Sequence, residues 1–240
     1  MKKYIEKFLA KQDSTPGFLE LWTNPYYFAR KGLYEHIVRL APYIHGKVLD
    51  VGCGMKPYAK IFTMRKYIGL EIDTLENRAK KKADYYYDGK SFPFGSQEFD
   101  SLITSQVFEH VFNPDQFLTE INRVLKDNGY LLLTVPFIWD EHEQPFDYAR
   151  YSSFGIRHLL ENHGFQIVIS EKSIKDIRVV FQLLNVYIYK KLSTKNKAIK
   201  LLAMLFMLGP VNILGTFFRL ITPHNEDLYL DNIILAKKVK

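Results

Sequence analysis

Val48-Leu49-Asp50-Val51-Gly52-Cys53-Gly54 is the stretch on which the reading of this 240-residue chain turns. Its apolar residues suit a strand over residues 47–51, and its glycines follow the strand's carboxyl end. Glycine lets a backbone turn sharply and approach a ligand closely. In an open parallel sheet, ligands bind outside the carboxyl ends of the strands, near the point where strand order reverses. Taken alone, Gly-x-Gly after a strand is a common structural turn, so the residues around it decide its weight.

Downstream, apolar runs alternate with helical patterns. Residues 57–63 read as a helix and residues 67–72 as a second strand. That strand carries Glu71 near its end, about twenty residues after the glycines, where a ribose diol needs an acceptor. Residues 84–87 read as a third strand, followed by Asp88-Gly89 and Phe92-Pro93-Phe94. Phe99-Asp100 opens a further strand over residues 99–104. Asn113 can cap a helix with Pro114 in its first turn, and Phe117, Leu118, Ile121, Val124 and Leu125 fall on one face of it. Asn128-Gly129 is the predicted stop, and residues 130–135 the next buried strand. Ser152 or Ser153 caps a helix ended by Gly164, residues 165–170 form a strand, and residues 228–236 form the last. This alternation predicts an α/β fold: a Rossmann-like, mostly parallel seven-stranded sheet with helices on both faces.

Four segments are expected. Residues 1–45 form an N-terminal helical segment, in which Leu33, Ile37, Val38 and Leu40 recur at helical spacing and Pro42 ends the run. Residues 46–173 form the core. Residues 174–224 form an apolar, basic helical insertion, and residues 225–240 carry the last strand and tail. Met1-Lys2-Lys3-Tyr4-Ile5-Glu6 is polar, so no secretory signal is expected. The single cysteine, Cys53, excludes an internal disulfide and suits a reducing cytoplasm.

The net charge of +7 lies wholly in residues 171–240, with 12 Lys/Arg against 5 Asp/Glu. Lys190, Lys191, Lys195, Lys197 and Lys200 precede 18 uncharged residues, Leu201 to Phe218. Gly209-Pro210 and Asn212 argue against a simple spanning helix of about 20 apolar residues and for two shorter ones. Such a segment suits an anionic membrane surface, a homodimer interface, a cap over an acceptor pocket, or plain packing against the sheet.

As a set, Asp50-Val51-Gly52-Cys53-Gly54, Glu71, Asp88, Phe92-Pro93-Phe94, Phe99-Asp100 and Glu109-His110 resemble the class I S-adenosylmethionine (SAM)-dependent methyltransferases, specifically the type 11 group. The resemblance covers residues 45–170. It implies SAM as cofactor. Gly52, Cys53 and Gly54 would lie against its methionine part, with Asp50 holding that turn. Glu71 and Ile72 would meet the ribose, Asp88 and Gly89 the adenine, and Ser105 and Gln106 would line the pocket after strand four. Lys56 stands where the family often has a third glycine, a departure that also weakens a NAD-dependent oxidoreductase reading, since that turn needs the glycine for close helix packing.

Related type 11 proteins carry a His-Glu-x-Pro-x-Asp-Tyr-x-Arg-Tyr run like the one here from His142 to Tyr151. It follows strand five, at the edge where the methyl group should lie. His142 is the candidate general base or acceptor-orienting group, with Asp147, Arg150 and Tyr151 shaping the pocket; the alternative is a structural network in which Arg150 pairs with Asp147 or Glu143. Metal ligation by Asp140, Glu141, His142 and Glu143 is set aside, because adjacent acids usually make a solvated face. Cys53 is committed to the glycine turn, which removes the nucleophile that cytosine-carbon methylation needs. Thr104-Ser105-Gln106-Val107 lacks the Asn/Asp-Pro-Pro-Tyr/Phe run of nucleobase-amine methylating relatives. The expected acceptor is therefore a hydroxyl on a glycan, a lipid-linked or a small molecule rather than nucleic acid. A non-catalytic SAM-binding or membrane-associated protein is the competing reading.

Overall fold

The computed structural model describes residues 17–192 and 202–239; residues 1–16, Lys195, Lys197 and Lys200 fall outside them. Seven strands, β1 (Lys47–Val51), β2 (Lys66–Ile72), β3 (Tyr85–Tyr87), β4 (Phe99–Ser105), β5 (Leu125–Pro136), β6 (Phe165–Lys172) and β7 (Asp231–Lys238), form one sheet in the order β3-β2-β1-β4-β5-β7-β6. β1 is parallel to β2 and β4, β2 to β3, and β4 to β5. β7 runs against β6: Ser173 pairs with Leu230 and Asp231 at one end, while Val239 donates to the Gly164 carbonyl at the other. Strand order reverses between β1 and β4, and that places the ligand crevice of an open sheet at their carboxyl ends.

The described residues divide into two compact units. One comprises residues 17–36, 138–140, 172–192 and 202–231, the other residues 37–137, 141–171 and 232–239. The second holds the site discussed below. Val48 to Val51 and Leu131 to Val135 are buried throughout, as strands covered on both faces must be. Phe117, Leu118, Ile121 and Val124 of the Pro114–Val124 helix pack into that core. Asn113 caps this helix by accepting from Gln116 N at 3.2 Å. Ser152 caps the Ser153–Asn162 helix by accepting from Gly155 N at 3.2 Å.

Several local expectations fail for identifiable reasons. No helix forms over residues 57–63. Lys56 sits at φ +58°, outside the helical basin, and the following bonds are single turns, Ala59 N to Lys56 O and Ile61 N to Tyr58 O. A short helix, Leu75–Lys80, forms instead between β2 and β3, capped by the Thr74 hydroxyl. The Pro114–Val124 helix stops before Asn128-Gly129, because Leu125 already pairs with Phe99; the register then shifts before Tyr130 meets Ser101. The last strand starts three residues later than expected and runs to Lys238. Val38 is exposed, off the buried stripe of the Tyr27–Leu40 helix.

In the other unit, Met204–Leu208 is a π-helical turn running straight into the Gly209–Ile221 helix. Gly209-Pro210 therefore does not split the segment in two; the wider turn accommodates the proline's missing N–H. Gly209 lies against Trp22, where an added Cβ would sit 2.8 Å from the indole. Asn212 is a buried staple. Its side chain accepts from Asn185 Nδ2 at 2.7 Å and donates to the carbonyls of Leu21 and Asn24. By length and composition, the Met204–Ile221 window is apolar enough to cross a membrane, and 28% of it is buried.

Candidate functional site

The turn after β1 is built as its glycines demand. Gly52 and Gly54 adopt φ +73° and +51°, the left-handed region that other residues enter at a cost. A Cβ at Gly52 would lie 2.3 Å from Val107 Cγ2, so the position is closed on steric grounds as well. Gly54 N donates to Glu71 Oε2 at 3.0 Å. The acid closing β2 thus holds the turn that closes β1. Glu71 Oε1 accepts from Ile72 N at 3.3 Å. An ionised carboxylate offers about four lone-pair sites, so both oxygens retain capacity for a diol.

Asp50 is buried on β1 and accepts a hydrogen bond from the Tyr67 hydroxyl of β2. Burial pushes its carboxyl up to about 7; the Tyr67 bond opposes that rise, the nearby Glu71 charge adds to it, and Lys56 opposes it. The same burial raises the Tyr67 hydroxyl above its usual range, with the Asp50 charge adding to it. Tyr67 was invisible as a site residue in the sequence, because only the β1–β2 pairing puts it beside Asp50. Lys56 fills the place of the expected third glycine and pairs with Asp84 at 2.5 Å. Cys53 is buried, and burial pushes its thiol up to about 12, so it is inert as a nucleophile.

Asp88 follows β3 and accepts from the N–H groups of Ser91 and Lys90 through Oδ1. The Ser91 and Lys90 bonds hold its carboxyl below the usual range. Gly89 has φ +81°, with open space where a Cβ would point. Ile72 is exposed beside Glu71. After β4 the chain bends at Gln106, φ +57°. There Ser105 Oγ lies 2.9 Å from Thr134 Oγ1, and Gln106 Nε2 donates to that same oxygen at 3.3 Å. The strand tips therefore present two acids beside glycine turns of left-handed backbone. That combination fits a nucleoside carrying a ribose diol and a cationic tail.

A second cluster lies just beyond. The turn Phe108–His110 follows β4, and the Glu109 carbonyl accepts from Tyr148 N and Ala149 N. His110 Nδ1 lies 2.8 Å from the Phe146 carbonyl. These bonds fold the segment from Glu141 to Tyr151 onto the turn. Arg150 holds Asp147 with a two-pronged pair, at 2.6 and 2.7 Å, and that pairing keeps the Asp147 carboxyl well below its usual range. Asp147 Oδ2 also accepts from His142 N at 2.9 Å and lies 3.2 Å from His142 Nδ1. The His110 and His142 rings are 4.8 Å apart, and both face the fully buried Glu109. Tyr151 instead lays its ring against Phe108 at 5.0 Å. Asp140 belongs to the other unit, where it pairs with Lys190 at 2.5 Å. Glu109 and His110 were legible in the sequence only as a motif ending; their nearness to His142 was not.

Residues 49–133 match the methyltransferase-domain family. A protein of Mycolicibacterium smegmatis named a probable S-adenosylmethionine-dependent methyltransferase is 28% identical over 173 residues, covering 66% of this chain and 65% of that one. Matches to the curated relatives span 37 to 65% of those proteins' length. Among solved structures, phosphoethanolamine N-methyltransferase 2 of Haemonchus contortus in complex with SAM superposes with a TM-score of 0.53 at 16% identity, covering 88% of this chain and 53% of that one. A [4+2]-cyclase superposes with a TM-score of 0.58 at 17% identity, covering 89% and 83%. At such identities the structures speak for the fold alone, which hosts more than one chemistry. Over the matched segment, and in its seven-stranded order, the chain is similar to the class I SAM-dependent methyltransferases.

Proposed function

We propose that this chain binds SAM at the tips of β1, β2 and β3 and methylates a hydroxyl of a glycan, a lipid-linked or a small-molecule acceptor. The observation that carries the reading is the bond from Gly54 N to Glu71, which sets the diol acceptor and the glycine turn in one rigid corner. Glu71, with Ile72 beside it, takes the ribose. Asp88 and Gly89 frame the adenine, the latter having open space beside it. Gly52, Cys53 and Gly54 line the methionine part, Asp50 faces its ammonium end, and Ser105 and Gln106 close the pocket floor. When bound, SAM supplies a methyl group as an electrophile on sulfur.

Methyl transfer of this kind depends largely on alignment, which can supply much of the acceleration. His142, held through Asp147 by Arg150, is the group that orients or activates the acceptor hydroxyl, with Asp147, Arg150 and Tyr151 shaping the pocket. General-base assistance contributes typically ~10²–10⁴-fold. A basic, apolar helical unit supports an acceptor or a location at an anionic membrane surface. Phe206, Phe217, Leu220 and Ile221 of that unit are exposed. Lys56, paired with Asp84 in place of a glycine, speaks against a dinucleotide turn.

Incubation with methyl-labelled SAM and fractionated cell extract, followed by identification of the labelled product, tests the proposal. A labelled hydroxyl on one extract component is expected. SAM binding with no label in any fraction would instead make this a non-catalytic SAM-binding protein.

A further inference from the structure

We propose that Glu109, His110 and His142 form a binding site for one divalent transition-metal ion of the zinc class. Glu109 Oε1 lies 3.7 Å from His110 Nε2 and 3.9 Å from His142 Nε2. One ligand atom from each of the three residues falls within 4.8 Å of the other two. The two nitrogen–oxygen separations are too long for hydrogen bonds. They are close to the spacing of ligands around an ion bound at roughly 2.0–2.2 Å.

The surrounding bonds prepare both imidazoles for coordination. His110 Nδ1 faces the Phe146 carbonyl at 2.8 Å, and a carbonyl can only accept, so the proton sits on Nδ1. His142 Nδ1 faces Asp147 Oδ2 at 3.2 Å, and Asp147 is itself fixed by Arg150. Each ring thus has its Nδ1 toward an acceptor and its Nε2 toward Glu109. A carboxylate behind a ligating histidine is the usual outer support of a metal site, setting both tautomer and ring orientation. Two imidazole nitrogens this close to a buried carboxylate form a donor set that a cation placed among them stabilises.

The donor set selects the ion class. Two imidazoles and one carboxylate favour zinc and its first-row neighbours over magnesium or calcium, which take oxygen ligands. Three protein ligands leave a coordination position open. If the methyltransferase proposal holds, an acceptor hydroxyl in that position would lose its proton more readily. His142 would then act as a ligand, and the ion rather than the imidazole would activate the acceptor. Binding of the ion itself does not depend on that proposal.

The test is calorimetric titration of chelator-treated protein with zinc, beside a parallel titration with S-adenosylhomocysteine. One equivalent of zinc is expected, bound at least tenfold more weakly by His110→Ala and by His142→Ala, with S-adenosylhomocysteine affinity unchanged in both. Cobalt added to the wild-type protein should give visible ligand-field bands that zinc abolishes, a readout that does not rely on a variant folding. Absence of stoichiometric zinc binding and of cobalt bands overturns the proposal, as does zinc binding in both variants as tight as in the wild-type protein. Zinc bound without S-adenosylhomocysteine would overturn the cofactor reading and leave the metal site standing; the reverse pattern would do the opposite.

Discussion

Gly54 N donates to Glu71 Oε2 at 3.0 Å, fastening the turn after β1 to the end of β2. The same carboxylate thus has one structural bond and one proposed ligand role. Glu71→Ala should lose both, and Glu71→Gln should keep an acceptor for Gly54 while losing the charge. A hydrogen bond to a charged group is worth about 1.5–3 kcal/mol, so Glu71→Ala should weaken S-adenosylhomocysteine binding by about 10²-fold. Glu71→Gln should fall in between, as read by calorimetry.

Gly52 combines φ +73° with a Cβ position 2.3 Å from Val107. Gly52→Ala should destabilise the protein by about 1–3 kcal/mol through backbone strain, plus a steric term. Val107→Ala in the same chain should recover the steric part only. Thermal melts of the single and double variants separate the two.

The raised Asp50 carboxyl makes stability depend on pH. Its folded value is about 7, against an ordinary 3.8. Between those values the folded state holds a proton that the unfolded state releases, so this group's contribution falls as pH rises from about 4 to 7. Above pH 7 the accumulated penalty is on the order of 4 kcal/mol. Asp50→Asn should flatten this slope and raise the melting temperature at pH 8, and it should weaken S-adenosylhomocysteine binding. A melting curve with the same pH slope in both proteins would sink the assignment.

Arg150 holds Asp147, and Asp147 holds His142. Removing such an outer partner typically lowers metal affinity or activity 10–100-fold. Arg150→Ala should therefore reduce kcat by about that factor while leaving S-adenosylhomocysteine affinity unchanged, provided the labelled acceptor is in hand. An equal loss in cofactor affinity would mean the loop, not the acceptor site, had moved.

Phe217 and Leu220 are exposed on the Gly209–Ile221 helix. Each would contribute about 1.5–3 kcal/mol on burial in an apolar phase. The protein should float with anionic vesicles, and Phe217→Asp with Leu220→Asp should abolish flotation. Wild-type protein left entirely in the aqueous fraction would remove the membrane surface as a partner.

The residues themselves determined the strands and the corner of the site that lies along the chain. Apolar runs specify buried strands, and glycines after β1 together with an acid closing β2 mark a ligand-binding edge, because both signals are local and follow the backbone's period. Where a local signal competed with pairing, pairing won. Leu125 joined the sheet before the glycine stop could act, and Lys56 in a left-handed turn prevented the helix expected from residue 57. Tertiary structure alone decided which distant side chains meet. Tyr67 reaches Asp50 only because β1 and β2 lie side by side. Glu109, His110 and His142 converge only because backbone bonds fold the segment after β5 onto the turn after β4. A contact between residues more than thirty positions apart leaves no periodic trace in a sequence; it arises from the packing of elements whose own formation the sequence does record.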